Sequence, residues 1–196
     1  CEPFCAGAEA CTEVAVLHRS EGYLPAKGDA MEGTLRIFRE LGCQFDYLPP
    51  SADFSKYRLV VVPEGIGQTE ELESRLRTFL INGGAVIRED LGGEPIPFAQ
   101  VYFRLLGKCA QDFPATDHVF YEKGPGLKVK ADDEILATVV EPYFDRNWEH
   151  YCSHCQTPPD RLGNRAAATR RGNLIRFGFP IFRAYATHGN LLCRHL

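Results

Sequence analysis

Tyr57-Arg58-Leu59-Val60-Val61-Val62, closed by Pro63-Glu64-Gly65, leads through a helical segment into Asn82-Gly83-Gly84-Ala85-Val86-Ile87. The apolar end of the first run reads as a strand buried on both faces, as central strands of parallel sheets are. Thr69 is placed to cap a helix whose Leu72, Leu76, Phe79 and Leu80 fall on one face, with Glu70 and Glu71 at the positive end of its dipole. Asn82-Gly83-Gly84 stops that helix, and Ala85-Val86-Ile87 is the next strand. Strand, crossover helix and strand make a right-handed unit whose helix lies back on the sheet.

The same pattern extends toward the amino terminus. Glu13-Val14-Ala15-Val16-Leu17 reads as a buried strand, followed by a Gly- and Pro-bearing loop over residues 18–28. A helix then starts at Asp29, three residues before Glu32 in the manner of a capping box, and presents Met31, Leu35, Phe38 and Leu41. Gly42 ends it and residues 45–48 form a further strand. Residues 98–106, after Pro97, are expected to form a short third helix.

Beyond Gly107 the pattern changes. Residues 118–121, 127–130, 135–140, 166–170 and 174–177 read as strands joined by turns such as Lys123-Gly124-Pro125-Gly126 and Arg171-Gly172-Asn173, without helices between them. A closing helix over 181–192 carries Ile181, Tyr185, His188 and Leu192 at helical spacing. The expected architecture is an α/β three-layer sandwich, flavodoxin-like, with a mostly antiparallel β extension. As a single domain it divides into a linker at 1–12, a parallel part at 13–107 and a β-rich part at 108–196.

The 196 residues, 44% hydrophobic and 24% charged, suffice for one core but not for two average domains. No apolar run reaches the roughly 20 residues of a membrane-spanning helix. A net charge of -4 with both signs interspersed supplies neither a basic stripe nor an acidic tail, so neither nucleic acid nor a membrane surface is an expected partner. The chain opens Cys1-Glu2-Pro3-Phe4, and its single Met is Met31, which reads as an excised or processed piece of something longer. Eight Cys occur, yet the core looks adequate without staples; reduced thiols and a cytoplasmic setting are expected, with Cys43 and Cys193 acting as small hydrophobes.

Ligands of doubly wound sheets bind beyond the carboxyl ends of the strands. The loop after Leu17 has neither phosphate-binding glycine fingerprint, and no cofactor is expected. Glu64-Gly65-Ile66-Gly67 reads as a tight turn into the helix at Thr69, the alternative being that its two glycines admit the backbone of a ligand. After Ile87 come Arg88-Glu89-Asp90-Leu91-Gly92-Gly93, with neither Cys nor Ser at the turn where a hydrolase nucleophile would stand. The unusual stretch is 142–159, which holds the only Trp, Trp148, with Tyr143, Arg146, His150, His154 and Cys152-Ser153-His154-Cys155. Its readings are a zinc site using His150, Cys152, His154 and Cys155, a redox pair, a polar and aromatic loop facing a sugar or a subunit, and a purely structural loop. Adjacent ligands at 154 and 155 are awkward for one tetrahedral ion, and Pro158-Pro159 replaces the helix a redox pair would open.

Residues 2–8 leading into 13–17, then 54–63, then Leu80-Ile81-Asn82-Gly83-Gly84-Ala85-Val86, resemble the β-galactosidase trimerisation-type domain, which has a class I glutamine amidotransferase-like fold. Tyr143-Phe144-Asp145-Arg146, His150-Tyr151-Cys152-Ser153-His154, Thr157-Pro158-Pro159 and the ending over 179–190 resemble a narrower group, the α-L-fucosidase-like glycosyl hydrolases. The resemblance implies a fold that has lost its nucleophile and follows a TIM barrel, missing here, that holds the catalytic carboxylates. Cys155 stands where that group leads one to expect Gln or another polar residue. No catalytic residue is assigned to this chain. The expectation is a non-catalytic C-terminal domain of a glycoside hydrolase that aids homo-oligomer assembly and completes the barrel's carbohydrate site with Trp148, His150 and His154, helped by Arg146 and Tyr143. The alternatives are a stand-alone amidotransferase-like enzyme or small-ligand sensor, and a zinc-stabilised module with Cys152, His154 and Cys155 as ligands.

Overall fold

The computed structural model of the chain describes residues 3, 6–8, 10–19, 28–154 and 156–196. Most of the 18–28 loop, part of the 1–12 linker, and Cys155 lie outside the described residues. Nine strands form one sheet: β1 (Val14–Leu17), β2 (Phe45–Leu48), β3 (Leu59–Val62), β4 (Ala85–Glu89), β5 (Val101–Leu105), β6 (Asp117–Phe120), β7 (Glu134–Pro142), β8 (Pro159–Arg171) and β9 (Leu174–Phe177). Their spatial order is β2-β1-β3-β4-β9-β8-β7-β5-β6. From β2 to β9 the pairing is parallel, and from β9 to β6 antiparallel.

Helix α1 (Ala30–Glu40) begins where Asp29 accepts the Met31 N–H at 2.8 Å. Glu32 completes the start differently from a capping box, accepting from Gly28 N–H at 2.5 Å. Its buried face is Ala30, Met31, Gly33, Thr34, Ile37 and Phe38; Leu41, expected there, is exposed. Gly33 explains the rotation, because a Cβ at that position would lie 1.8 Å from the Phe182 carbonyl oxygen, so α1 packs backbone-close on α3 (Ile181–His188). Helix α2 (Glu70–Ile81) is capped by Thr69 Oγ1 on Leu72 N–H at 3.2 Å and buries Leu72, Leu76 and Phe79.

Two apolar layers result. One joins α1, α3 and the opposite sheet face through Phe103, Phe120 and Phe179, whose rings lie 4.5 to 5.5 Å apart. The other sets α2 against β1, β3 and β4. Each large side chain fully buried there contributes about 2 kcal/mol.

Three elements differ from expectation. Within 98–106, residues 101–105 form strand β5 and no helix: Val101, Tyr102, Phe103 and Leu105 are buried and only Arg104 is exposed, in a run of β-favouring residues. The closing helix is broken at Gly189, whose φ of 62° ends α3, and Asn190 caps a separate α4 (Leu191–His195). Residues 127–130 make only one bridge, Leu127 to Ala166, while β8 grows to thirteen residues. Cys193 is buried in α4, but Cys43 is exposed beyond the end of α1, so only the former acts as a core hydrophobe. No helix among the described residues is long and apolar enough to cross a membrane.

Candidate functional site

Parallel strands place their carboxyl ends on one edge, and the double reversal through β8 and β5 brings the ends of β6 and β7 to that same edge. Residues 63–67, the end of β4, Tyr121, Glu122 and the 143–157 loop are gathered there with the start of α3.

Glu89, the last residue of β4, lies at its centre. Its Oε2 accepts the Glu64 N–H at 2.6 Å and its Oε1 accepts the Phe182 N–H at 2.9 Å, so one carboxyl ties the loop after β3 to the first turn of α3. Burial pushes that carboxyl up to about 8, against the downward pull of the two N–H groups. Arg183 donates to Glu64 at 2.5 Å, and its Nε sits 3.5 Å from Glu122. Glu122 also meets His188 Nε2 at 3.2 Å. The Tyr121 ring lies 5.9 Å from the His188 ring, and its hydroxyl donates to Gln156 at 3.3 Å. A polar chain therefore runs from Glu89 to the 143–157 loop.

The loop is tied down at both ends. Asp145 accepts the Ala99 N–H at 2.7 Å, and the Thr157 carbonyl accepts from Gln100 at 3.0 Å and from the Tyr102 hydroxyl at 2.5 Å. Within it, Asn147 Oδ1 accepts the N–H groups of Glu149 and His150, each at 2.8 Å, which forms the local turn. Arg146 donates to the His154 carbonyl at 2.9 Å and lies 5.0 Å from the centre of the Tyr151 ring. The His150 ring sits 5.6 Å from Phe144. Tyr143 is 65% exposed and Trp148 89% exposed. Thus Arg146 and His154 meet through the backbone, His150 belongs to the turn, and Trp148 stands apart facing solvent.

Strand β4 runs on to Glu89, so the following turn is Asp90-Leu91-Gly92-Gly93, and among the described residues no hydrogen bond joins a Cys or Ser to an imidazole. Cys152 Sγ is directed at the carbonyls of His154 and Gln156, at 3.5 and 3.8 Å. Among the described residues no three His, Cys, Asp or Glu side chains converge as for a metal ion; Cys155, named as a ligand in the zinc reading, is outside them. Cysteines 11, 43, 109, 152 and 193 are free thiols. The residues that sequence reasoning passed over are Glu89 and Arg183. Glu89 carried one signal, a carboxylate ending an apolar central strand; Arg183, 119 residues from Glu64, carried none.

Residues 31–94 match the family model of the beta-galactosidase trimerisation domain. No curated protein sequence matches the chain. Among solved structures, the alpha-L-fucosidase isoenzyme 2 from Paenibacillus thiaminolyticus superposes with a TM-score of 0.86 at 23% identity, over 99% of this chain and 33% of that one. The beta-galactosidase from Rahnella sp. R3 gives 0.58 at 13% identity, over 91% of this chain and 30% of that one. A glutamine amidotransferase from Thermotoga maritima gives 0.52 at 15% identity, over 94% and 85%. The chain spans about a third of the length of the two glycosidases. It has the glutamine amidotransferase-like fold, and its residues 31–94 carry the sequence pattern of the beta-galactosidase trimerisation domain.

Proposed function

We propose that this chain is a non-catalytic domain of a multidomain glycoside hydrolase, that it holds copies of the enzyme together, and that it follows a barrel carrying the reacting carboxylates. The observation that carries this reading is the match of residues 31–94 to a trimerisation domain, on a chain that covers about a third of two glycosidases of similar fold. The fold supports the division of labour. A retaining or inverting hydrolase needs two carboxyls facing each other across a sugar, whereas the buried carboxyl of this edge, Glu89, has both oxygens occupied by backbone N–H groups.

In this reading the 143–157 loop reaches the barrel's sugar site, with Trp148 stacking on a sugar face and Arg146, His150, His154 and Tyr143 supplying planar hydrogen-bonding groups. A glutaminase-like reaction has little support, because the turn after β4 presents Asp90 and two glycines in place of a nucleophile.

Light scattering after gel filtration tests the assembly role. A solution mass near three times 22.0 kDa is expected. A monomer at all concentrations places assembly in the barrel instead, and turnover of aryl glycosides by this chain alone overturns the non-catalytic reading.

A further inference from the structure

Beside the end of β4, the Asp90–Glu94 turn faces the segment that follows β6 across a cavity of about 510 Å³. The size is that of a small-ligand pocket. Its cationic lining is Lys128, Lys130, Arg165 and Arg176; its carboxylates are Asp90 and Glu94. The pairing among them is uneven. Arg176 is committed to Asp133 at 3.0 Å and to Asp90 at 3.8 Å, which accounts for one of the two lining carboxylates. Lys128 and Lys130, both exposed, and the half-buried Arg165 form no ion pair with any described residue, and the Arg165 guanidinium donates to no described acceptor. On the opposite wall, the N–H groups of Gly92 and Gly93 also meet no acceptor among the described residues, and Gly93 has a φ of 132° that a side chain rarely adopts. The wall opposite them is rigid. A Cβ at Gly126 would come within 2.8 Å of Arg165 Cβ, and Gly126 N–H bonds Gly178 at 3.0 Å while Leu127 and Ala166 exchange two bonds at 2.7 and 2.9 Å.

Guanidinium and ammonium groups without a protein partner, lining one concave site together with backbone N–H groups that have no described acceptor, suit an oxyanion, since the charges attract it and N–H groups can meet its lone pairs. We propose that this cavity binds a small organic oxyanion, a carboxylate or phosphate ester of about monosaccharide size, clamped between Arg165 with Lys128 and Lys130 on one side and the Gly92-Gly93 backbone on the other. The site is separate from the 143–157 loop and does not depend on the glycosidase reading.

Titration calorimetry on the 196-residue chain tests it, with inorganic phosphate, citrate and glucose 6-phosphate as probes and glucose as the uncharged control. One site per chain is expected for the anions and none for glucose, with affinity falling as sodium chloride rises. Arg165→Gln is expected to weaken binding at least tenfold, and Lys128→Gln severalfold. Citrate alone binding points to a carboxylate ligand, and the phosphates alone to a phosphate ester. The proposal is overturned if none of the anions gives heat beyond that of chloride at equal ionic strength, or if both variants, melting as the parent does, bind unchanged.

Discussion

Glu89 and Phe182 stand 93 positions apart in the chain, yet the Glu89 carboxyl accepts the Phe182 N–H at 2.9 Å, inside the first turn of α3. That N–H has no partner within the helix, so the strand supplies what the sequence before α3 does not: Pro180, at the cap position, makes no side-chain cap bond. The second oxygen does the same for Glu64. Glu89→Ala strands two N–H groups at a buried site and is expected to lower unfolding stability by about 3 kcal/mol, read as a shift in the urea midpoint. A loss below 0.5 kcal/mol would mean that water replaces the carboxyl freely.

Stability should respond to pH at both ends of the range, with opposite signs. Burial raises Glu89 to about 8, above its unfolded value of about 4.5, so its contribution is full below about 4.5 and is lost as pH rises through 8. Glu40 is the reverse case. Hydrogen bonds from Tyr185, then Arg36 and Arg194, hold it at about 2, so its contribution is present above about 4.5 and disappears as pH falls through 2. Melting temperatures measured from pH 2 to 9 should decline at both limits, and Glu40→Gln should flatten the acid side alone.

Gly33→Ala sets two effects against each other. Alanine gains about 1 kcal/mol of intrinsic helix propensity over glycine, but its Cβ would meet the Phe182 carbonyl oxygen at 1.8 Å. Separating α1 from α3 costs about 3 kcal/mol as overpacking, so a net loss of about 2 kcal/mol is expected in urea unfolding. A stabilised variant would show that the two helices separate without cost.

Trp148 is nine-tenths exposed, and its removal takes little from the folded core. Trp148→Ala is expected to move the melting temperature of this chain by less than about 2 °C, within the range of surface substitutions. Under the glycosidase reading proposed above, the same change in a chain that includes the barrel should raise KM for the sugar substrate several-fold. A large drop in melting temperature would instead make Trp148 a structural residue.

The parallel half was legible because strands buried on both faces write themselves as contiguous apolar runs, as in Val60-Val61-Val62 and Val14-Ala15-Val16-Leu17. Their helices carried their own caps at Asp29 and Thr69. Residues 98–106 misled because Pro97 precedes an apolar run that suits a helix start; only the outward Arg104, paired with Asp117 on β6, distinguishes the strand. The 143–157 segment was visible through its composition, and its turn at Asn147 is local chemistry. Its anchoring to Gln100 and Tyr102 was not visible, because those bonds cross more than fifty residues.

The sequence by itself determined the strands, caps and turns whose forces act within a few residues, together with the absence of a nucleophile after β4. Only the tertiary structure decided that β9 enters the sheet parallel to β4 from nearly ninety positions away, that Glu89 serves two distant N–H groups, and that Arg183 closes on Glu64. The physical reason is that pairing across such separations is selected by the free energy of the whole packed core, and leaves no periodicity in the residues that take part.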